Sequence, residues 1–419
     1  MEQSPINNTP RKGSLLVIFL TVFIDLLGFG IVIPLLPIYA DDMALDESGW
    51  LLGALMASFS VMQFFCAPLW GRLSDRVGRR PVLMVGLASS VFFYAMFGIS
   101  TVTHSFWLLF VSRVGAGMAG ATISTAQAYI ADTTTLEKRS KGMALIGMAF
   151  GLGFTFGPLL GFLAAPDRSS APGPWPGYVA AGLSAIALVL AIFLLPESIH
   201  ADSEKAGHKV FDLARFRQAM SVPSVALVLL AIFVCIFSFA NFETTLSLLI
   251  YGGDRLPDSP FQFSRRTVCL TFAYIGFTLA LVQGGIVRRL AGRIDEGKLA
   301  AAGALAEVIG FGLIVAATTI GSIGLVFGAL TVIVAGFSFM QPSLNSLLSR
   351  RSDPERQGLV LGVGQSVSSL ARIAGSALGI PLLKFQLSAP YWLAAVLMLL
   401  GMFVVTFASR RGRDFGTEP

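Results

Sequence analysis

The sequence predicts an all-α polytopic membrane protein, with twelve transmembrane helices arranged as two pseudo-symmetric six-helix halves. Three observations predict it. Of 419 residues, 54% are hydrophobic and only 13% charged, and the mean hydropathy is +0.74. Twelve apolar runs are each long enough to cross a bilayer, which takes about 20 residues. The basic residues collect in alternate connections between those runs. A soluble fold of this size could not cover its surface with 30 basic and 24 acidic side chains, about half the usual share. An ordinary cytosolic enzyme, a disordered chain and a disulfide-stapled secreted domain are thereby excluded.

The first six spans are read at 15–40, 49–71, 82–102, 105–130, 141–165 and 177–195. The second six are read at 223–250, 266–288, 299–318, 322–348, 358–382 and 388–409. The first run is too long for the apolar core of a signal peptide and carries Asp25 midway, so it is read as a retained span. With both termini on one side, 23 Lys and Arg fall in connections on that side and five on the other: Arg168, Arg255, Arg265, Arg266 and Lys384. Only Arg113 and Arg372 fall inside spans. The positive-inside rule then places both termini in the cytoplasm. The basic balance of +6 follows from these clusters, so no nucleic-acid partner is expected. Cys66, Cys235 and Cys269 have no paired spacing and the three histidines are scattered, so neither a metal nor another cofactor is expected.

The polar stretch 196–222 reads as a cytoplasmic linker between a half at 1–195 and a half at 223–419. The halves echo one another. Gly71-Arg-Leu-Ser-Asp75-Arg-Val-Gly78-Arg79 follows the second span, and Gly285-Ile-Val-Arg-Arg-Leu-Ala-Gly292-Arg293 follows the eighth, 214 residues later. Arg139-Ser-Lys-Gly142 opens the fifth span and Arg356-Gln-Gly358 the eleventh.

Five embedded acids and bases stand out. A charged group mid-span costs ~2.5–3.5 kcal/mol on insertion scales, so each is a functional candidate by default. Asp25 suits proton binding and release; the structural alternative is a hydrogen bond to a neighbouring helix. Arg113 should face a cavity or a carboxylate. Glu243 and Glu307 are the other embedded acids, with a salt bridge or a place nearer the interface as the alternative. Glu243 follows Asp25 by 218 residues, close to the repeat. Arg372 could neutralise Glu243 or Glu307, or bind an anionic group. Gln63, Gln127, Asn241, Gln283, Gln341, Asn345 and Gln365 are neutral polar groups within spans. They either line a substrate cavity or hydrogen-bond between helices. Gly153, Gly157 and Gly161 share one helix face and favour close helix packing, while Pro158 removes a backbone hydrogen bond.

Four stretches carry a resemblance to a known family. They are Asp25-x-x-Gly28-x-Gly30-x-x-x-Pro34-x-x-Pro37, then Met62 to Pro68 leading into Gly71 to Pro81, then Arg113-Val-Gly115-Ala-Gly117-Met-Ala-Gly120 with Ala128 to Asp132, and the run Gly147, Gly151, Gly153, Gly157-Pro158, Gly161. The chain resembles the drug:proton antiporter branch of the major facilitator superfamily, and within it the tetracycline-resistance efflux pumps. The resemblance implies the major facilitator fold in the cell's cytoplasmic membrane, and proton-coupled efflux of a small amphiphilic drug by alternating access; a monomer is expected. Its partners are then the substrate, protons and the lipid bilayer. It ties Arg113 to proton coupling with Asp25, places an acid at Glu307, and gives Gly71, Asp75, Gly78, Arg79 and Arg80 a gating role. These last are read as a short loop before the third span that latches to the eleventh helix, with Asp75 complementing a helix N-terminus. Glu243 and Arg372 depart from the resembled pattern. The alternative function on the same fold is a symporter or uniporter for a nutrient or metabolite.

Two enzyme-like motifs fail their context. Gly115-Ala-Gly117-Met-Ala-Gly120 fits G-x-G-x-x-G but follows no strand. Gly292-Arg-Ile-Asp-Glu-Gly297-Lys298 is followed by Leu299, where a nucleotide-binding loop needs Ser or Thr. With no catalytic constellation either, the expectation is a carrier and not an enzyme.

Overall fold

A computed structural model describes residues 12–43, 47–134, 136–165, 173–198, 223–253, 256–290, 293–351 and 357–411. In lipid every backbone N–H and C=O must be satisfied within the chain, so the apolar runs fold as helices. Eight helices form the first half: α1 (Lys12–Val32), α2 (Leu36–Asp42), α3 (Trp50–Val77), α4 (Arg79–Val102), α5 (Phe106–Gly120), α6 (Ile123–Thr133), α7 (Leu136–Ala164) and α8 (Trp175–Leu194). The second half holds α9 (Pro223–Tyr251), α10 (Arg265–Leu281), the single turn α11 (Arg288–Leu290), α12 (Glu296–Ile320), α13 (Ile323–Arg350), α14 (Gln357–Phe385) and α15 (Ala389–Arg411). Among the described residues eleven helical segments are long and apolar enough to span a membrane. The twelfth, within α7, has its apolar stretch at Met148–Ala164.

Three boundaries differ from the sequence expectation. The first span breaks at 33–35, where Pro34 cannot donate and Pro37 starts α2 as its second residue. The fourth span breaks between α5 and α6, just past the weak helix formers Gly115, Gly117 and Gly120. The loop expected between the second and third spans does not exist. Helix α3 runs on to Val77 and α4 starts at Arg79, with Gly78 alone between them. The linker expected at 196–222 lies, from residue 199 on, outside the described residues. So do Pro354, Glu355 and Arg356, and the side chains of Arg139 and Lys141.

Local chemistry sets several helix starts. Ser105, Ser264, Asp295 and Ser322 each accept a hydrogen bond from the backbone N–H three residues on, capping α5, α10, α12 and α13. Exposed Trp50, Trp107, Trp175 and Trp392 sit at the starts of α3, α5, α8 and α15. All four lie at the end of the bundle opposite the termini, as an aromatic belt at one membrane face would.

Helices of each half pack mainly on one another, α1 against α7 and α8 in the first, α12 against α13 and α15 in the second. The halves meet along two main seams, α3 with α14 and α7 with α10. The sequence repeat exchanges the second span with the eighth and the fifth with the eleventh, so each seam maps onto the other. Glycine makes the seams close. A Cβ on Gly53 would strike the Ala377 carbonyl, and one on Gly276 would strike that of Phe154. At the end opposite the termini the seams carry ion pairs. Lys384 Nζ lies 2.7 Å from Asp41 Oδ1, and Arg265 Nη2 lies 3.2 Å from Asp42 Oδ2. Arg266 donates to the Ala165 carbonyl at 3.2 Å. These three cations are among the five that fall outside the positive clusters in the sequence.

Candidate functional site

The charged residues of the membrane interior fall into three separate places. The first lies within the first half. Asp25, on α1, accepts a hydrogen bond from Ser184 Oγ of α8 at 2.7 Å, and Ser90 of α4 lies beside it. A cavity of about 20 Å³ opens next to the carboxylate, lined by Thr21, Leu26, Leu83, Leu87, Thr122 and Ala126 among others. That is room on the scale of a water molecule. Tyr94 of α4 is buried within electrostatic reach of both Asp25 and Arg113. Arg113 is 4% exposed and lies over the ring of Phe59, 4.8 Å from its centroid. Its Nε and Nη1 have no hydrogen-bond partner among the described residues. A ring face lies against this cation, and no described carboxylate forms an ion pair with it.

The second place is Glu307 on α12. It is fully buried and neither oxygen has a partner among the described residues. It lies against α13, where a Cβ on Gly336 would come within 2.8 Å of its Cγ. Neither expected alternative, a salt bridge or an interfacial position, describes it. The third place joins α9 to α14. Arg372 Nη1 lies 3.4 Å from Glu243 Oε2, and both side chains keep partial access, 37% and 26%. Of the two acids open to Arg372 in the sequence, the fold selects Glu243.

The cluster at the terminal end departs most from expectation. Asp75 is on the last turn of α3, and Arg79 and Arg80 are on the first turn of α4. Arg79 Nη1 pairs with Asp75 and donates to Ser74 Oγ at 2.6 Å, and its Nε bonds Asp132 at 2.9 Å. The carboxylate that caps α4 is Glu197, not Asp75. It accepts from the backbone N–H groups of Arg79 and Arg80 at 2.9 and 3.2 Å. Arg80 also donates to the Ile192 carbonyl. Among the described residues, Asp75 and Arg79 bond within the first half, and no bond joins either to α14, the expected latch partner. Glu197 escaped sequence reasoning because it lies 118 residues from Arg79. Gly71 has nothing within 4 Å of where a Cβ would stand. Gly78, at φ +105° and ψ 153°, occupies a region nearly confined to glycine, and a Cβ there would strike Glu197 Oε2. Gly78→Ala should therefore lose the cap and cost about 1–3 kcal/mol, read as earlier thermal unfolding of the purified protein.

The neutral polar candidates divide. Asn241 is fully buried and donates to the Pro390 carbonyl at 3.1 Å, so it joins helices and does not line a cavity. Gln63 reaches the Gly120 carbonyl at 3.4 Å. Gln127 is exposed, and Gln283 and Gln341 are half-buried. Gln283 lies in a π-helical turn, Val282–Val287, a distortion that no sequence pattern announced. Gly153 and Gly157 pack on Leu26, Leu27 and Gly30 of α1, and Gly161 on Ile31 and on Cys269 of the other half. Helix α7 runs unbroken through Pro158.

The family model for the Major Facilitator Superfamily matches residues 18–376. The chain belongs to the major facilitator superfamily. Among its relatives, the class C tetracycline resistance protein of Escherichia coli is 32% identical over 366 residues, covering 87% of this chain and 88% of that one. Multidrug resistance protein 2 of Bacillus subtilis is 27% identical and covers 94% of each. Of solved structures, the human organic anion transporter MFSD10 superposes with a TM-score of 0.70 at 28% identity, over 94% of this chain and 99% of that one. The chain is thus a multi-pass membrane transporter of the major facilitator fold, a fold whose members carry small molecules across the bilayer.

Proposed function

We propose that this transporter exports a small amphiphilic drug or metabolite in exchange for protons. The observation that carries the reading is the setting of Asp25. It is an embedded carboxyl, hydrogen-bonded by Ser184, beside a water-sized cavity, with buried Tyr94 near both it and Arg113, which has no carboxylate partner among the described residues. A proton arriving on Asp25 removes a negative charge from the neighbourhood of Arg113 and so changes the packing energy of α1, α4 and α5 together. Gly30, on α1, packs against Gly153 and Gly157 of α7. A shift of α1 would therefore reach α7 and its seam with α10 directly. Fully buried Glu307 is the second proton candidate.

The ion pairs close the bundle at the end opposite the termini, and among the described residues no bond joins Asp75 or Arg79 to α14 at the terminal end. The basic clusters support a cytoplasmic place for the terminal end. One proton falling through ~100 mV supplies ~2.3 kcal/mol, and one pH unit adds ~1.4 kcal/mol. Together they support roughly 500-fold outward concentration of a neutral solute. The relatives that confer tetracycline and multidrug resistance support the direction and the amphiphilic substrate.

The test is efflux of tetracycline and a panel of fluorescent dyes from a pump-deficient bacterium, with and without a protonophore. Export that stops with the protonophore, and that Asp25→Asn reduces by at least tenfold at equal membrane levels, is expected. Export that survives both treatments, or no export of any compound, would overturn the reading.

A further inference from the structure

The Arg372–Glu243 pair has a feature that no other embedded charge shares. Asp25 is engaged by Ser184, Arg113 is buried over a ring, and Glu307 is sealed between helices. Arg372 keeps 37% of its side chain accessible. Among the described residues its one bond is long, 3.4 Å from Nη1 to Glu243. A guanidinium has five N–H donors in a fork, so most of this fork is unspent. Glu243 fixes where the fork points without occupying it.

The surroundings say what the fork faces. On α14, Gln365, Ser369, Arg372 and Ser376 recur at spacings of four, three and four, which is one helix face. Gln365 is exposed, and Ser369 and Arg372 are half-buried. Val363, Val367, Leu370, Ala374 and Leu378 occupy another face. A polar face carrying a cation does not turn to hydrocarbon when an apolar face is available on the same helix. The seam with α3 lies at Ala377 and Ile380, and the packing on α9 at Gly375 and Gly379. The polar stripe lies between those two contacts, along the space separating the halves.

The neighbouring charges do not compete for the site. Of the titratable groups on elements packed against α9, Lys384 is held by Asp41, Arg265 by Asp42, and Tyr391, Cys269 and Tyr39 are buried. Arg350, and the Arg410 and Arg411 positions, lie at the terminal ends of α13 and α15. Glu243 has Arg372 as its ion-pair partner.

We infer that Arg372 is an anion-binding subsite for the transported molecule, taking a carboxylate or sulfonate on the free edge of its guanidinium, with Ser369 and Gln365 beside it. Glu243 is a positioning residue that holds the fork and offsets its charge when no anion is bound. The inference names a substrate class, an amphiphilic organic anion. It rests on the exporter reading only in treating the space between the halves as the substrate path.

Two xanthene dyes of similar skeleton and opposite charge test it: fluorescein, a dianion at pH 7.5, and rhodamine 123, a cation. Fluorescence anisotropy of each is titrated with the purified full-length protein in lipid nanodiscs, with empty nanodiscs subtracted. Wild type is expected to bind fluorescein at least tenfold more tightly than rhodamine 123. Arg372→Gln should weaken fluorescein binding at least tenfold while leaving rhodamine 123 unchanged or tighter. Arg372→Lys, which keeps the charge but not the fork, should lie between. Glu243→Gln should bind fluorescein as tightly as wild type or more so. If Arg372→Gln does not fold, the double variant Arg372→Gln/Glu243→Gln buries no lone charge and must still lose fluorescein. Fluorescein binding by the Arg372→Gln or double variant within twofold of wild type overturns the inference, as does wild type that fails to prefer fluorescein. Protonophore-sensitive export through Asp25 is measured separately, so either reading can fail while the other stands.

Discussion

Replacing Lys384 with methionine is expected to open the bundle at the end opposite the termini. Lys384 and Asp41 are each 8% exposed and lie 2.7 Å apart, joining the last turn of α14 to α2 across the two halves. Removing one member of a buried ion pair leaves the other charge unpaired out of water, which costs about 3–5 kcal/mol. The chain can relieve that cost without unfolding, by separating the halves there and hydrating Asp41. The cost therefore appears as a shift of the conformational equilibrium, a hundredfold or more towards the open state. Spin labels at Val102 and Phe385 would read it, since both are well exposed and end α4 and α14 on that side. The interlabel distance should lengthen in Lys384→Met. It should return towards the wild-type value in Asp41→Asn/Lys384→Met, where no lone charge remains. An unchanged distance in the single variant would show that the apolar seam alone holds this end shut. Arg265 and Asp42, 3.2 Å apart, form a second pair nearby and should make the single variant less than fully open.

The second large effect is expected at Gly157. A Cβ there would stand 2.6 Å from Gly30 Cα and 2.8 Å from both Gly30 C and the Leu27 carbonyl oxygen. All three are backbone atoms of α1, so no side chain can rotate away. Gly157→Ala must push α1 from α7 and should cost about 1–3 kcal/mol; Gly157→Leu exceeds that and should leave little folded protein. The free cysteines supply the readout, because Cys66, Cys235 and Cys269 are all buried. A thiol-reactive fluorogenic dye therefore reports unfolding directly on heating. Gly182→Ala is the control. Gly182 has nothing within 4 Å of its would-be Cβ, and alanine should be neutral or stabilise α8 by up to about 1 kcal/mol. Equal midpoints for Gly157→Ala and Gly182→Ala would show that α1 and α7 do not need this approach.

Much of the architecture was legible in the chain. Apolar run length fixes a spanning helix because hydrocarbon offers the backbone no hydrogen-bond partner. Lys and Arg placement orders the connections because charge stays in water. The family was legible as well, through Asp25 to Pro37, Gly71 to Pro81 and the glycines of α7. The candidate site was legible only as a set of residue types. Asp25, Arg113, Glu243, Glu307 and Arg372 were singled out because a mid-span charge is costly wherever it sits. Their partners were not, because each lies on another helix at a distance that local patterning does not encode. Ser184 is 159 residues from Asp25, Arg372 is 129 from Glu243, and Glu197 is 118 from Arg79.

Sequence by itself thus determined the class of the molecule, its spans and its costly residues, since those follow from the solvation of single segments. Tertiary structure alone decided which costs are offset and how. It gave Arg372 to Glu243, set Arg113 over Phe59, sealed Glu307 without a partner among the described residues and turned Asn241 into a helix clamp. It also made three outlying cations the bonds that close one end. The energy of a buried charge depends on whatever lies within a few ångströms of it, and only the packed helices set that distance.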